Sequence, residues 1–319
     1  MREYIVKKLA IAVIVLIGVY TITFVLTFMM PGDPARVSMG QFGNPETVKL
    51  IRQRWGLDRP RYVQYIKYAG SFLKGEMGMS FRYDRPVLDV IKYRFPRSAY
   101  LGLWGILFSI VLSIPLGIVA ACKQNTPLDN AAVLFSQIGR SLPSFWLGMM
   151  LIAMVAVGLG WVKVVPEVEP GRLWSFSGFF TSLDDYILPV ITLGTGLMAT
   201  TTRMTRSSML EVIREDYITL ARAKGLPERV VILKHALRNA LIPVVTLIGM
   251  QFLLIVGGVI ITETVFGING IGRLYVTSIQ MRDYPVVIAL TLIYAFGVVL
   301  INLLVDLTYG WIDPRVRLR

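Results

Sequence analysis

Six stretches of the 319-residue chain stay apolar for about the length of a membrane crossing. Residues 9–30 carry no charged side chain, and these 22 residues as a helix, at about 1.5 Å each, cover about 33 Å, the hydrocarbon thickness of a bilayer. Further runs occupy 98–121, 145–160 with an amphipathic lead-in from Asn130, 187–202, 241–262 and 285–307. The fourth is the most polar, because Gly194, Gly196 and Thr200-Thr201-Thr202 dilute it, although small and hydroxylated residues also allow close helix packing in lipid. The pattern predicts an all-α polytopic membrane protein with six transmembrane helices. A cleaved signal sequence in place of the first run is disfavoured: the run is long for one, and no small-x-small site precedes Pro31.

Charge sets the orientation. Arg2, Lys7 and Lys8 precede the first run, Arg315, Arg317 and Arg319 follow the sixth, and Arg203, Arg206, Arg214, Arg222, Lys224, Arg229, Lys234 and Arg238 lie between the fourth and fifth. With six spans all three clusters share a side, whereas the opposite short loops carry only Lys163, Arg172, Arg273 and Arg282. Both termini are therefore expected in the cytoplasm of a cell with the chain in its inner (plasma) membrane. The regions that follow are 1–30, N-terminus and span one; 31–97, a long extracytoplasmic loop; 98–308, a transmembrane core that includes the cytoplasmic loop 203–240; and 309–319, a basic tail.

The loop 31–97 is polar, opens with Pro31-Gly32-Asp33-Pro34 and has helical stretches at 46–55 and 62–73, which predicts a folded cap rather than a linker. Its aromatic residues Trp55, Tyr62, Tyr65 and Tyr68 are candidates for a surface that docks a partner protein, with a self-packed cap as the alternative.

Composition agrees with a lipid solvent: 55% of residues are hydrophobic, 17% are charged, and the mean hydropathy is +0.61. The net charge of +13 sits beside apolar runs, where lipid head groups account for it without nucleic acid. One cysteine, Cys122, and one histidine, His235, leave no intrachain disulfide and no His/Cys metal cluster. A phosphate-cradling Gly-x-x-x-x-Gly-Lys-Ser/Thr loop is lacking, and His235 has no evident Ser or Asp relay, so the chain is expected to be no enzyme and to hold no nucleotide. Gln251 and Asn302 are costly to bury in lipid and are candidates for a translocation path or for helix packing. Asp306 suits a solvated or salt-bridged place near a span end, and Arg140 one that snorkels to an interface.

The loop 203–240 reads as helix, break, helix. Met209, Val212, Ile213, Tyr217, Leu220 and Ala221 recur at helical spacing, Gly225 can end a helix in the left-handed conformation, and Pro227 suits the first turn of the next. An amphipathic helix resting on lipid is one reading; a sharp corner projecting into a groove of a soluble partner is the other, and the corner itself favours the second.

The run Asp216-Tyr217-Ile218-Thr219-Leu220-Ala221-Arg222-Ala223-Lys224-Gly225, continued by Lys234-His235-Ala236-Leu237-Arg238-Asn239-Ala240-Leu241-Ile242-Pro243, resembles the coupling loop of permeases in the dipeptide/oligopeptide/nickel branch of ABC importers, first-permease type. Similar motifs are Met30-Pro31-Gly32-Asp33-Pro34, Ser141-Leu142-Pro143-Ser144-Phe145-Trp146-Leu147-Gly148, Phe266-Gly267-Ile268-Asn269-Gly270-Ile271-Gly272-Arg273 and Arg282-Asp283-Tyr284-Pro285, so the resemblance covers nearly the whole chain in order. Thr219-Leu220-Ala221 stands where the general importer loop has Glu-Ala-Ala, and Asn269 where many relatives have proline. The resemblance implies a type I ABC importer permease fold, a second homologous permease, two cytoplasmic ATP-binding subunits that hold ATP and Mg, and an extracytoplasmic solute-binding protein. No cofactor is implied on this chain itself. It places coupling on Ala221, Arg222, Ala223, Lys224, Gly225, Leu226, Pro227 and Glu228: the glycine for the turn, the alanines for close approach, and Arg222, Lys224 and Glu228 for polar contacts to the ATPase. An ion-coupled secondary carrier is the alternative, but it calls for ionisable groups near the bilayer midplane, of which this chain has few.

Overall fold

The computed structural model describes residues 2–39, 44–257 and 259–312, and the regular elements in them are helices. In chain order these are α1 (Arg2–Met29), α2 (Pro34–Met39), α3 (Pro45–Trp55), α4 (Arg61–Leu73), α5 (Val87–Cys122), α6 (Pro127–Ser141) and α7 (Ser144–Leu151), which runs on as a π-helical segment (Ile152–Gly158). Then come α8 (Pro170–Leu173), α9 (Phe176–Thr181), α10 (Leu183–Ile213), α11 (Asp216–Ala223) and α12 (Glu228–Val230). A second π-helical segment (Val231–Ala236) joins α12 to α13 (Leu237–Gln251), followed by α14 (Leu253–Gly257), α15 (Ile260–Val265), α16 (Ile271–Gln280) and α17 (Tyr284–Ile312).

Four of the predicted spans appear as helices long and apolar enough to cross a membrane: Lys7–Met29, Val87–Cys122, Glu228–Ile255 and Tyr284–Leu304. The third predicted span and its lead-in are two helices, Pro127–Ser141 and Ser144–Gly158, whose axes bend by 94°. The cause is local: Pro143 disfavours helical backbone at Leu142, and both residues are extended, with ψ of 134° and 130°. The fourth predicted span lies within α10, which at 31 residues is long enough but falls short of the other helices in apolarity. The fifth starts earlier than 241, at Glu228, and the apolar helix runs to Ile255, with α15 as a separate helix. The long loop also ends early, because α5 begins at Val87. Within their apolar windows, 22% of the first span and 17% of the Glu228–Ile255 span are buried, against 39% in α5 and α17, so their outward faces require lipid or another subunit.

The chain divides into two compact units. The first comprises Met1–Ser98, Val256–Ile260 and Asn269–Arg319. In it α1 packs along α17, with Tyr20 and Phe24 against Ile288 and Leu292, and α4 adds Tyr65, Tyr68 and Phe72 to the same cluster. The first turns of α5 bury Val87, Val90 and Ile91 against Leu274 of α16 and Val286 and Leu290 of α17. The turn before α17 is clasped to the cap. Asp283 is fully buried; its Oδ1 accepts the Phe81 N–H at 3.0 Å, and its Oδ2 accepts the Arg82 N–H at 3.3 Å and the Ser80 hydroxyl. Beside it the Arg282 guanidinium donates to the Pro31 carbonyl. Two motifs that the sequence presents separately, Pro31-Gly32-Asp33-Pro34 and Arg282-Asp283-Tyr284-Pro285, thus meet in space.

The second unit comprises Ala99–Ile255 and Ile261–Ile268, and α10 is its hub, packed on α6, α7 and α13. Glycines make the close approaches: a Cβ on Gly139 of α6 would lie 2.5 Å from the Thr195 backbone, one on Gly117 of α5 2.6 Å from Thr205 Cβ, and one on Gly194 2.9 Å from the Gly105 carbonyl. Gly194, which weakens the apolar run in sequence, is therefore a packing position, whereas Gly196 faces open space. The hydroxyls of Thr192, Thr201 and Thr205 donate to the carbonyls four residues earlier, which satisfies them within the helix and lets a threonine-rich segment sit in the core. Arg206, counted with the basic loop by sequence, donates to both oxygens of Asp129 at 2.8 and 2.7 Å, and the Asp129 side chain is only 4% exposed.

Candidate functional site

The corner after α10 is built from an eight-residue helix that would be marginal alone in water. Tertiary contacts hold it: Ile218 and Ala221 are buried in a cluster with Met209, Val231, Ile232, Ala236, Ala240 and Ala121. Gly225 has φ of +77°, as expected for the left-handed end of a helix. Its N–H donates to the Arg222 carbonyl at 2.9 Å, and the Leu226 N–H donates to the Ala221 carbonyl at 3.4 Å, the paired bonds of a Schellman motif. Pro227 stands one place ahead of the expected first turn, as the N-cap of α12, and its carbonyl accepts the N–H groups of Val230 and Val231.

The residues expected to couple divide into structural and exposed groups. Ala221 is buried inside the chain, so its small size serves the approach of α11 to the core, while Ala223, Lys224 and Leu226 are exposed. Arg222 and Glu228 bind each other across the corner, Nη2 to Oε1 at 2.8 Å and Nε to Oε2 at 3.2 Å, with side chains 40% and 60% exposed. They brace the turn while remaining open to solvent.

The helical stripe expected through Met209, Val212, Ile213, Tyr217, Leu220 and Ala221 does not survive as one face. The chain leaves helical geometry at Arg214 and Glu215, Glu215 being extended at ψ 146°, and this break resets the register. Ile218 takes the inward place, and Tyr217 and Leu220 turn out, 40% and 55% exposed, together with Leu226 at 38%. Tyr217 keeps one tie to α13, accepting from the exposed Asn239 Nδ2 at 2.7 Å. The corner therefore presents a small apolar face, Tyr217, Leu220 and Leu226, framed by Arg222, Lys224 and Arg229. Such a face suits a groove in a soluble partner.

The remaining candidates are placed differently. Gln251 is buried in the second unit and its Nε2 donates to Thr201 Oγ1 at 3.0 Å, joining α13 to α10, while its Oε1 is buried without a partner among the described residues. Asn302 is exposed on α17 in the first unit; the side chain of Asp306 and residues 313–319, with Arg315, Arg317 and Arg319, lie outside the described residues. Of the cap aromatics, Trp55 stacks on Phe81 with ring centres 4.2 Å apart, and Tyr65 packs on Tyr20 and Phe24 while its hydroxyl meets Thr21. Tyr68 joins the same cluster, where burial pushes its phenol above the usual range. Tyr62 alone of the four stands out, 69% exposed. The self-packed reading of these rings fits the geometry.

Sequence reasoning missed the ties of Asp283 and of Asp129 with Arg206. The first had a weak signal, an acid directly ahead of an apolar run inside a noted motif. The pairing of Asp129 with Arg206 had none, since 77 residues separate them.

The family described as "Binding-protein-dependent transport system inner membrane component" matches residues 113–318, and its N-terminal companion, "Binding-prot-dependent transport system membrane comp, N-term", matches residues 1–102. Among curated proteins, the glutathione transport system permease protein GsiC of Escherichia coli (strain K12) is 39% identical over 317 residues, covering 99% of each chain. The dipeptide transport system permease protein DppB of the same strain is 39% identical over 336 aligned positions, again covering 99% of both. A solved amino acid ABC transporter with histidines aligns with a TM-score of 0.47 at 13% identity, covering 77% of this chain and 96% of that one, too weak a likeness to carry an argument.

Proposed function

This chain belongs to the binding-protein-dependent transport system inner membrane components, and from that premise we propose how it works as the channel-forming permease subunit of an ABC importer for peptides or similar small solutes. Energy enters from separate ATPase subunits, which carry ATP and Mg, and the corner at Gly225 receives it. The observation that carries this reading is the outward apolar face of Tyr217, Leu220 and Leu226 on a rigid, glycine-ended turn.

In this reading six crossings are made by α1, α5, the bent pair of α6 and α7 with its π-helical extension, α10, the helix from Glu228, and α17. The three basic clusters then face the cytoplasm, and residues 31–86 lie outside as a cap beneath a solute-binding protein. A second permease covers apolar faces that α1 and the helix from Glu228 leave unburied. When two ATPases close on ATP, a corner seated in each moves inward, and the attached helices exchange an inward-facing for an outward-facing arrangement through their differential affinity for the two states. The Schellman turn and the buried Ile218 and Ala221 make α11 and the helix from Glu228 move as one body, so displacement at the corner reaches the membrane rather than being lost in a flexible loop.

The test is reconstitution in liposomes of this chain with its candidate second permease and solute-binding protein, with and without ATPase subunits, and of this chain alone. Uptake of radiolabelled dialanine that requires ATP, and that L220D abolishes, is the expected result. Uptake by this chain alone, driven by an ion gradient and indifferent to ATP, would refute the proposal in favour of a secondary carrier.

A further inference from the structure

The first unit contains a cleft of about 800 Å³, within the range of small-molecule sites, between the outer end of α1, the starts of α2 and α4, and Tyr284 at the start of α17. Its wall combines unsatisfied groups of three kinds. Four guanidiniums line it, and only that of Arg52 is engaged, its Nε lying 3.0 Å from Asp33 Oδ2; Arg36, Arg59 and Arg61 have no ion-pair partner among the described residues and are exposed. Asp58, also on the wall and exposed, is likewise without a cationic partner there. Gln64 is 6% exposed, and its Nε2 donates to the Arg59 carbonyl at 2.8 Å and reaches the Leu57 carbonyl at 3.5 Å. Those two carbonyls set the amide's orientation, since a flip would face oxygen to oxygen. The outcome is a buried acceptor, Gln64 Oε1, with no donor. A buried polar atom without a partner carries a cost that a ligand N–H or a water can remove.

The groups waiting are thus guanidiniums for an anion, a carboxylate for a cation and an amide oxygen for an N–H. Phe28, Leu57 and Tyr284 supply apolar wall between them. A free amino acid offers a carboxylate and an ammonium but no peptide N–H; a small peptide with both ends free offers all three. The surroundings suit a negative end, since residues 31–97 contain thirteen Lys and Arg against six Asp and Glu.

We propose that this cleft is a binding site for small zwitterionic peptides, separate from the translocation path. Arg36, Arg59 and Arg61 take the terminal carboxylate, Asp58 the terminal ammonium, and Gln64 a peptide N–H, while a side chain lies against Phe28 and Tyr284. The inference rests on the importer reading only for the side of the membrane the cleft faces. Its function there is to hold peptide at the cap of the permease itself.

The experiment is calorimetric titration of the full chain in lipid nanodiscs with dialanine, dialanine amide and N-acetyl-dialanine. Dialanine is expected to bind with an affinity that weakens as salt is raised, and amidation of the carboxylate is expected to cost about tenfold or more. R36Q/R59Q/R61Q is expected to reduce dialanine affinity by a similar factor and to abolish the difference between dialanine and its amide, with K74Q, outside the cleft, as the unchanged control. If the triple variant does not fold, R36Q and R61Q are titrated singly and each is expected to lose affinity. No binding of dialanine, equal binding of the amide, or an unaltered preference in the arginine variants would overturn the site. Since no ATPase or binding protein is in the titration, a failure here leaves the importer reading standing. Binding here with no ATP-driven uptake in liposomes would instead leave the site standing and sink the importer reading.

Discussion

Asp283 and Glu228 are both carboxylates at the start of a long helix, and each holds a turn in place, yet they are built on opposite terms. Asp283 is fully buried and spends both oxygens on backbone N–H groups and a serine hydroxyl of the cap. Glu228 is largely exposed and pairs with one exposed guanidinium. A buried carboxylate with three donors cannot change partners without leaving several groups unsatisfied, so it fixes a position. A solvated ion pair is held by about 1 kcal/mol or less and is free to exchange one partner for another. The difference matches the roles proposed for the two places: the cap stays on its span, and the corner accepts a second protein.

The sharpest way to break this contrast is D283A. It strands the Phe81 and Arg82 N–H groups, and about 3 kcal/mol of stability should be lost, read as a lower thermal midpoint in nanodiscs and as faster hydrogen exchange at those two amides. D283N should fall between the variant and the parent. A parent-like midpoint for D283A would mean that the clasp contributes nothing.

The same group makes the contrast depend on pH. Burial, the largest influence, pushes the Asp283 carboxyl above its ordinary value of 3.8, against the opposing pull of Ser80 and the Phe81 and Arg82 amides. A folded-state value above the unfolded one means that the native protein binds more protons in that window, so stability falls as pH rises through it. The increment of stability tied to holding this proton is full below the unfolded value and is lost as pH rises through the folded one, while the hydrogen bonds accepted by the ionised group remain. Denaturation at a series of pH values should show this decline in the parent and not in D283N, and parallel profiles would contradict it. Glu228 is too exposed to add a comparable trend.

At the corner the turn matters more than the charges. G225V forces a β-branched residue to φ of +77°, at a cost of about 1–2 kcal/mol. ATP-driven uptake by the assembled importer should fall much further than stability, because the exposed face is re-aimed; proportionate losses would show that the corner has no coupling role. The smallest effect is expected from R222A and E228A, each within about 0.5 kcal/mol of the parent with a coupling energy below about 1 kcal/mol in a double-mutant cycle. A coupling energy as large as that of the buried clasp would erase the distinction between the two sites.

Legibility followed the range of the interaction concerned. The left-handed glycine at Gly225 and the helical cap segments at 45–55 and 61–73 depend on residues a few places apart, and they could be read directly. The inward face of α11 could not, because the break at Arg214 and the extended Glu215 shifts the register and hands the buried place to Ile218. The aromatic cap residues were visible as a group, but whether a ring faces a partner or its own chain is settled by what lies opposite, here Phe81 for Trp55 and Tyr20 for Tyr65.

The sequence by itself determined that the chain is helical and lives in lipid, where its basic clusters lie, and that it turns sharply at Gly225. These follow from hydropathy, charge and the steric freedom of a single residue, all of which act locally. Tertiary structure alone decided that Asp283 clasps backbone more than 200 residues away, that Arg206 is tied to Asp129, and which side of α11 faces outward. Those outcomes depend on which distant groups are brought within hydrogen-bonding or van der Waals range, and that is a property of the packed chain rather than of any stretch of it.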